Sequence, residues 1–546
     1  MNRAPSSHRV ALDAVVIGAG FAGMYMLHRL RRLGLSARVY ERGDGVGGTW
    51  YWNRYPGARC DTESVTYSYS FDGALEQEWE WTERYAPQSE ILAYANHVAD
   101  RFDLRRDIQF ETSVISVHYD DASRLWRVTT ARGEEVAARF CIGAVGCLSA
   151  SVLPDYPGLE DFQGEWYHTG RWPHCAVDFR GKRVGIVGTG SSGVQSTIAV
   201  AKEAGHLHVF QRTPNYSIPA WNGPLDRAAV SALKANYGAW RERSRYAQIG
   251  IPFTPNGKQA KLVPPEERER DYEAAWAEGG FNFVMAYPDL LTDLESNRTA
   301  AEFVERKIRQ VVKDPEVAKL LTPNDHPLGT KRLCVDTGYY ETFNRDNVTL
   351  VDIRSAPIER ITAAGVKTRD AEYPLDVLIF ATGFDAITGP LLKLGIVGRG
   401  GESLNAKWAD GPHTYLGIQS VGFPNFFMIT GPGSPSVLSN MLMSIEQHVD
   451  WIAGCLDHMQ RKGYDSVEPS RDAEQAWGQT VHEVGHGTLY PHTDSWYTGT
   501  NIAGTVRAFT PYAGGVGTYR RICESIVERG YEGFEFSSTR VAAAAS

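Results

Sequence analysis

The stretch that decides the fold is DAVVIGAGFAGMYMLHRLRRLGLSARVYE, from Asp13 to Glu41. It begins with an apolar run that ends at Ile17 and is typical of a short buried strand. The glycine-rich turn Gly18-Ala-Gly-Phe-Ala-Gly23 follows, and leucines at helical spacing then continue to a stop at Gly34. A second short strand closes on Glu41. This strand, glycine turn, helix and strand form the unit that binds dinucleotides in doubly wound folds.

The same pattern occurs a second time, beginning with the predicted strand Arg183–Val187. The turn Gly188-Thr-Gly-Ser-Ser-Gly193 follows, then a helix predicted to run through Ala204 and stop at Gly205, then a strand. Because both turns stand between a strand and a helix, each predicts a pyrophosphate site at a helix N-terminus. The residues predicted to contact cofactor are Gly18, Gly20, Phe21 and Gly23 in the first turn, and Gly188, Thr189, Gly190, Ser191, Ser192 and Gly193 in the second.

The residues that end the second strand of each unit differ, and the difference predicts two different nucleotides. Glu41 can accept hydrogen bonds from both ribose hydroxyls, which favours the unphosphorylated ribose of FAD or NAD. The equivalent position of the second unit is Gln211, and Arg212 follows it. A guanidinium in place of a carboxylate favours the 2′-phosphate of NADPH. The pair of units therefore indicates a flavoprotein that NADPH reduces.

Composition excludes several other classes of protein. The chain has 546 residues and a net charge of −9, and it contains no lysine- or arginine-rich run, so nucleic acid is not an expected partner. No apolar run is long enough for a membrane span, and the polar start Met1–Val10 does not resemble a secretion signal. The seven cysteines include no C-x-x-C pair, so we expect free thiols, no metal site and a cytoplasmic protein.

The predicted fold class is α/β, with two Rossmann-like dinucleotide-binding domains, for FAD and NADP, and a helical insertion. Glycines in Ala144-Val-Gly146 and Ala381-Thr-Gly-Phe-Asp385 end two apolar strands, where the chain could cross between the domains. The insertion is predicted from dense charge and helix-forming residues. The predicted segments are 1–148 (FAD domain, first part), 149–225 (NADP domain, first part), 226–328 (helical insertion), 329–380 (NADP domain, second part) and 381–546 (FAD domain, second part).

A longer motif lies just before the second glycine turn. Phe162, Gly164, His168, Trp172 and Pro173 match the pattern F-x-G-x-x-x-H-x-x-x-W-P. In this the chain resembles the type I Baeyer–Villiger monooxygenases, including those that act on phenylacetone and on steroids. The resemblance extends over almost the whole chain, through the segments 47–61, 329–332, 381–385, 431–440 and 495–499.

The resemblance implies a reaction and its cofactors. NADPH would reduce FAD, and the reduced flavin would react with O2 to give a C4a-peroxyflavin. This species would insert one oxygen atom beside the carbonyl of a ketone and release an ester or lactone. Sulfides form a second class of substrate that the resemblance allows. The protein is expected to act as a monomer on a small ketone and O2.

The resemblance also implies roles for individual residues. Arg332 matches the family arginine that stabilises negative charge during the reaction, and Asp61 matches the aspartate that orients it. Lys331 and Thr213 join Arg212 at the 2′-phosphate. Trp496 packs on the nicotinamide cofactor. The other positions expected against the flavin are Gly48, Thr49, Trp50, Asp61 and Tyr67, and those expected to line the substrate pocket are Val437, Leu438 and Met441.

Three other functions stay open at this point. The first is an N- or S-hydroxylating flavin monooxygenase, against which Trp172-Pro173 and Arg332 argue. The second is a flavin disulfide reductase, which would need a redox pair such as Cys141 and Cys147 near the flavin. The third is an NADPH-binding redox sensor without enzymatic activity. Formation of an ester from a ketone distinguishes the Baeyer–Villiger reaction from all three.

Overall fold

The computed structural model of the chain describes residues 12–253 and 256–538. The polar start Met1–Val10, and with it the expectation about secretion, lies outside the described residues, as do the outer ends of the first and last predicted segments. Among the helices of the described ranges, none combines the length and the apolar character that crossing a membrane requires.

The larger of the two main sheets has eight strands, and the first glycine turn directly follows one of them. The predicted strand is present as Leu12–Ile17, and it lies parallel between Ala37–Tyr40 and Glu135–Gly143. In the register of this sheet Val16 is paired with both Val39 and Ile142. From edge to edge the strands are Ile396–Val397, Val114–Asp120, Leu125–Thr130, Glu135–Gly143, Leu12–Ile17, Ala37–Tyr40 and Ile108–Gln109, with Phe426–Met428 beside Glu135–Gly143.

The first glycine turn leads into the helix Phe21–Arg32, which buries its apolar face. Met24, Leu27 and Leu30 have no exposed surface and pack into the largest hydrophobic core of the molecule. The long helix Met441–Lys462 crosses the same face and contributes to that core. The turn is therefore held between a sheet and two packed helices, which fixes the direction of its backbone N–H groups.

The second main sheet has five parallel strands and contains the second glycine turn. Its strand order is Val348–Asp352, His206–Gln211, Arg183–Val187, Val377–Phe380 and Glu165–His168. The helix after the turn is Ser191–Val200, so the prediction that it runs through Ala204 was wrong. The chain turns early because the Gly205 and His206 N–H groups both donate to the Lys182 carbonyl, which draws residues 201–205 toward the next strand.

The predicted helical insertion is helical, and the described residues between 219 and 334 hold no strand. Its helices pack against the five-stranded sheet through a core that includes Tyr272, Phe283 and Phe303. The helices of this region are Arg227–Ala235, Tyr237–Arg245, Pro265–Glu278, Leu294–Val311 and Pro315–Leu321, with short 3₁₀ turns at Ala260–Leu262 and Gly280–Asn282.

Shorter elements complete the structure. Three small sheets are Ser217–Pro219 with Cys334–Asp336, Ile358–Thr362 with Gly365–Thr368 and Glu372–Pro374, and Ser466–Pro469 with Phe534–Ser537. The remaining α-helices are Thr49–Trp52, Gly73–Glu78, Gln88–Arg101, Tyr339–Thr342, Gly389–Leu392, Leu404–Lys407, Arg471–His486 and Val516–Glu528. The remaining 3₁₀ turns are Ser64–Thr66, Arg105–Asp107, Leu159–Asp161, Thr169–Arg171, Arg399–Gly401, Ser436–Leu438, Tyr490–His492 and Trp496–Thr498.

The chain passes between the two main sheets at two adjacent places. Ser151 on the outward segment forms an isolated antiparallel bridge with Phe384 on the returning segment. The Val152 N–H donates to the Gly383 carbonyl over 3.1 Å. The two crossings are therefore tied together at the boundary between the sheets.

Candidate active site

The first glycine turn has the backbone geometry of a phosphate cradle. Gly18 has a φ of 103°, and a Cβ there would lie 2.6 Å from the Ala144 carbonyl oxygen. A Cβ on Gly48 would lie 2.9 Å from the Cα of Gly20, so the two backbones approach each other without side chains between them. No described side chain caps the helix that follows, and its first turn holds no acid. Its free N–H groups and positive dipole end fit a diphosphate.

Glu41 stands where the ribose-binding carboxylate was predicted. Its side chain is buried, and one carboxylate oxygen accepts from the Ala19 N–H and the other from the Gly43 N–H, each over 2.8 Å. Each oxygen keeps a further lone pair for a ligand hydroxyl. Glu41 therefore shapes the glycine turn itself, in addition to the role predicted for it.

The aromatic residues expected beside the flavin form one packed group. The Trp50 indole N–H donates to the Tyr67 hydroxyl over 3.1 Å, and the two rings meet edge to face. Phe21 is buried against Tyr67 and Tyr69, so its backbone, rather than its ring, is available at the turn. Thr49 is exposed at the start of the short helix Thr49–Trp52.

The second glycine turn repeats the geometry of the first. Gly188 has a φ of 111°, and a Cβ there would lie 2.5 Å from the Ala381 carbonyl oxygen. No described heavy atom lies within 4 Å of a Cβ built on Gly190, so the turn has open space beside it. The Thr189 hydroxyl donates to the Thr213 carbonyl over 2.8 Å and ties the turn to the segment after the second strand. Ser191 and Ser192 begin the helix, which no described side chain caps.

Two cations stand close together beside this second turn. Arg212 is exposed and Lys331 is half-buried, and neither forms a hydrogen bond or ion pair with any described residue. Burial lowers the pKa of Lys331, and the nearby charge of Arg212 lowers it further, while Asp325 opposes both. Uncompensated positive charge at the end of the nucleotide-binding strand fits a phosphate monoester.

Arg332 and Asp61 form the bidentate pair that the resemblance implied. The Arg332 Nε and Nη2 groups donate to the two Asp61 carboxylate oxygens over 2.8 and 2.9 Å. The Nη1 group donates to the Val437 carbonyl over 2.7 Å. Burial opposes the charged form, but the carboxylate of Asp61 outweighs it and raises the pKa of Arg332 above its usual range. A quarter of the Arg332 side chain (24%) remains exposed, so the fixed cation is accessible.

The residues predicted to line the substrate pocket lie around this cation. Leu438 and Met441 are partly buried in the same small hydrophobic cluster as Trp496 and Tyr497. Val437 is only 3% exposed, and its carbonyl rather than its side chain faces Arg332. The Trp496 and Tyr497 ring centres are 4.2 Å apart. The structure thus brings the predicted pocket residues, Arg332 and Trp496 into one region.

Two neighbours of Arg332 were not predicted from the sequence. The ring of Phe281, from the helical insertion, lies 5.2 Å from the guanidinium carbon in a cation–π contact. Tyr497 interacts electrostatically with the guanidinium and packs beside Trp496. Tyr497 lies within the segment 495–499 that carries the family resemblance, and this was the available signal in the sequence. Phe281 carries no local pattern that would reveal its position.

The long sequence motif lies at the place where the chain crosses between the sheets. His168 is buried; its Nδ1 accepts from the Gly170 N–H over 3.0 Å and its Nε2 lies 3.2 Å from the Val152 carbonyl. Burial lowers the pKa of His168 to about 4, so the ring is neutral. Phe162 and Trp172 are buried in separate cores. A Cβ on Gly164 would lie 2.5 Å from the Asp376 carbonyl oxygen. Pro173, the last residue of the motif, is partly buried. The motif therefore contacts the crossing rather than the reacting groups.

The cysteines do not form a redox pair. Cys141 lies within a central strand and Cys147 contacts the Ser436 hydroxyl at 3.0 Å, and both are unpaired and buried. Burial raises the pKa of both thiols, which disfavours the reactive thiolate. These observations argue against a disulfide reductase. Among the described residues, no three His, Cys, Asp or Glu side chains are grouped so that they could hold a metal ion.

Comparison with known proteins places the chain among flavoprotein oxygenases. Residues 9–220 match the family model for flavin-binding monooxygenase-like proteins. A Baeyer–Villiger monooxygenase of Pseudooceanicola batsensis is 46% identical over 95% of each chain. Oxidized steroid monooxygenase bound to NADP is 52% identical, with a TM-score of 0.93 over 97% of this chain and 100% of that one. The complex of OTEMO with FAD and NADP is 42% identical, with a TM-score of 0.93 over 96% and 99% of the chains.

Proposed function

The chain belongs to the Baeyer–Villiger monooxygenases, flavoproteins that use FAD and NADPH, and from that premise we propose where and how it oxidises a ketone. The proposed reaction inserts one oxygen atom of O2 beside the ketone carbonyl, next to the Arg332 guanidinium. The observation that carries this proposal is the bidentate pair of Arg332 with Asp61, because it holds a permanent cation in one orientation.

The two glycine turns would hold the cofactors. When bound, FAD supplies the redox chemistry: it takes a hydride from NADPH and activates O2. The residues proposed to hold FAD are Gly18, Gly20, Phe21, Gly23, Glu41, Gly48, Thr49, Trp50, Asp61 and Tyr67. The residues proposed to hold NADPH are Gly188, Thr189, Gly190, Ser191, Ser192, Gly193, Arg212, Thr213, Lys331 and Trp496. The free helix N-termini and the open space at Gly190 support these assignments.

Arg332 is proposed to stabilise the negative charge that develops on the ketone oxygen. A guanidinium has five N–H groups, and three donors of Arg332 already reach Asp61 and the Val437 carbonyl. Two N–H groups remain, one on Nη1 and one on Nη2; Tyr497 also interacts with this guanidinium, and the N–H group that Tyr497 does not engage is proposed to donate to the substrate. Because the ion pair raises the pKa of Arg332, the residue acts as a fixed charge and moves no proton.

The neighbouring apolar side chains are proposed to keep water away from that charge. Leu438, Met441, Trp496 and Tyr497 form one cluster, and Phe281 covers the guanidinium from the insertion. Removing water lowers the local dielectric constant, which strengthens the attraction between Arg332 and the substrate oxygen. An apolar wall of this kind favours medium to large ketones over small polar ones.

The organisation of the chain is proposed to follow the two sheets. An FAD domain formed by 1–148 and 381–546 would enclose an NADP domain formed by 149–225 and 329–380, with 226–328 inserted in the latter. The two parallel sheets and the two adjacent crossings support this division. We further propose that the protein is a monomer and that it is cytoplasmic; the unpaired cysteines support the cytoplasmic location only. Size-exclusion chromatography with light scattering measures the oligomeric state.

The test of the proposed function is the Arg332→Ala variant beside the wild type. With NADPH and air, the panel contains phenylacetone, cyclohexanone, a 20-keto steroid and an aryl sulfide, and mass spectrometry reports the products. We expect the wild type to form an ester or lactone, and the variant to keep anaerobic flavin reduction but lose about 100-fold or more of the ester. Arg183→Ala is the control, since that arginine pairs with Asp376 at the surface.

Two results would overturn the proposal. Ester formation that survives in Arg332→Ala would remove the arginine from the chemistry. Oxidation of the sulfide alone by the wild type, across a widened ketone panel, would favour the N- or S-hydroxylating monooxygenase instead.

A further inference from the structure

Arg354 is a third cation near Arg212, and it follows the end of a neighbouring strand of the five-stranded sheet. The strands His206–Gln211 and Val348–Asp352 are parallel neighbours, with Gln211 paired to Asp352. The Ile353 N–H still donates to the Gln211 carbonyl over 2.9 Å. Because the carboxyl ends of parallel strands meet at one edge, Arg212 and Arg354 both emerge at the edge where ligands bind in such sheets.

Arg354 is held in place by contacts that leave part of its guanidinium free. Its Nη2 group forms an ion pair with Asp325, and its backbone N–H donates to the Asp352 carboxylate over 2.9 Å. Asp325 is held in turn by the ring of His326, whose Nδ1 lies 2.6 Å from the other carboxylate oxygen. Because Asp325 contacts Arg354 through Nη2, the Nε and Nη1 groups of Arg354 remain able to donate to another acceptor. The Arg354 side chain is 49% exposed.

Arg354 belongs to the same electrostatic cluster as the two cations already described. Lys331 interacts with the charges of Arg212, Arg354 and Asp325, so these four groups surround one location. Asp494 also acts on Lys331, but it is paired with Arg507. Three cations share this location with the carboxylate of Asp325, and Asp352 adds a second carboxylate beside Arg354, so the location keeps a net positive charge. A phosphate monoester carries about two negative charges at neutral pH.

We propose that Arg354 is a third cationic ligand of the NADPH 2′-phosphate, beside Arg212 and Lys331, and helps to determine the preference for NADPH over NADH. Asp325 is its positioning residue, because it orients the guanidinium before the nucleotide arrives. This inference rests on the proposed function, which places the 2′-phosphate at Arg212 and Lys331. A charge-assisted contact made only with the phosphate would strengthen NADPH binding and leave NADH binding unchanged.

The experiment measures nucleotide binding to the FAD-loaded enzyme by calorimetry, with 2′,5′-ADP and 5′-AMP as probes. For Arg354→Gln we expect the Kd of 2′,5′-ADP to rise by about 5- to 20-fold, the value usual for losing one charge-assisted hydrogen bond. The Kd of 5′-AMP and the KM of NADH should stay within about twofold. The matched control is Arg369→Gln, since Arg369 is also an exposed arginine paired with an aspartate, Asp370.

Arg212→Gln and Lys331→Gln separate failure of this inference from failure of the proposed function. If both weaken 2′,5′-ADP binding while Arg354→Gln does not, the inference falls and the 2′-phosphate site stands. If none of the three variants changes 2′,5′-ADP binding, the phosphate site itself is misplaced and the inference falls with it. Equal weakening of 5′-AMP and 2′,5′-ADP by Arg354→Gln would show a structural role and would also overturn the inference.

Discussion

The two glycine turns have nearly the same backbone but different surroundings. In the first, a Cβ on Gly23 would lie 1.8 Å from the Gly18 carbonyl oxygen, and Gly18 itself packs on Ala144. In the second, a Cβ on Gly193 would lie 2.0 Å from the Gly188 carbonyl oxygen, and Gly188 packs on Ala381. Steric exclusion therefore imposes one turn geometry twice, without reference to which nucleotide is bound.

The side chains after the second strands are where the turns diverge. The Glu41 carboxylate receives the N–H groups of Ala19 and Gly43 and so faces its own glycine turn. The Gln211 amide instead donates to the Leu320 carbonyl over 2.8 Å, at the end of a helix of the insertion. This difference fits a division of roles in which the turn holds the phosphate, while the strand end and its neighbours select the nucleotide.

Adding one methyl group to each turn should separate the two cofactor sites most clearly. Gly23→Ala should lose about 90% of its bound flavin, because the clash with a backbone carbonyl costs about 3 kcal/mol or more. Gly193→Ala should keep its flavin and lose about 100-fold in the rate of reduction by NADPH. Flavin absorbance per protein and stopped-flow reduction measure the two effects. Gly478→Ala is the control, since no described atom lies within 4 Å of that Cβ.

The next largest effect concerns nucleotide preference at the second turn alone. Arg212→Ala should raise the KM of NADPH by about 10- to 100-fold, because a charge-assisted contact with the 2′-phosphate is lost. The KM of NADH should change less than about threefold. Steady-state kinetics with both nucleotides provides the test, and flavin content should not change. An equal effect on both nucleotides would contradict the assignment of Arg212.

Exchanging the strand-end residues tests whether they select the nucleotide. Glu41→Gln places an NH2 group against the N–H of Ala19 or Gly43, so flavin should be held about tenfold more weakly. Gln211→Glu points a buried carboxylate at the Leu320 carbonyl, so the melting temperature should fall by several degrees with little change in nucleotide preference. Flavin release and thermal melts measure these outcomes. If the Gln211→Glu variant preferred NADH over NADPH, residue 211 would contact the nucleotide directly, contrary to this expectation.

The smallest expected effect is a shared dependence on pH. Burial lowers the pKa of two histidines to about 4: His168, at the crossing, and His448, in the helix Met441–Lys462. Their stabilising contribution is complete above the unfolded value of about 6.5 and is lost as pH falls through 4, because unfolding then takes up protons. His168→Gln and His448→Gln should each reduce that uptake by about one proton. Denaturation between pH 4 and 7 measures it, with exposed His413→Gln as control; an unchanged slope would contradict the neutral buried rings.

Much of the fold around the two turns was predictable. The strands at 13–17, 37–40 and 183–187 were located to within a residue, because apolar runs bounded by essential glycines leave little freedom. The two-residue strand Ile396–Val397 and the three-residue strand Phe426–Met428 had no periodicity to reveal them. They form because the edge and the centre of a large sheet offer unpaired backbone groups to segments that are distant in sequence.

The site was predictable by residue type but not by orientation. Arg332 and Asp61 were expected as a pair and meet in one, and the roles assigned to them stay predictions. The Val437 carbonyl, which completes the support of Arg332, could not be foreseen, because a side-chain pattern carries no information on where a backbone carbonyl points. The role proposed for Arg354 could not be predicted for a related reason: Arg354 follows a neighbouring strand and lies 142 residues from Arg212 in sequence.

The contact of residues 151 and 152 with residues 383 and 384 brings together the two ends of the segment that contains the second sheet. A segment whose two ends touch can be gained, exchanged or removed by rejoining neighbouring positions, without rethreading the rest of the chain. A linker of a few residues would close the gap that its removal leaves. Such an exchange would also have to replace Arg332, because that residue lies inside the segment and pairs with Asp61, which lies outside it.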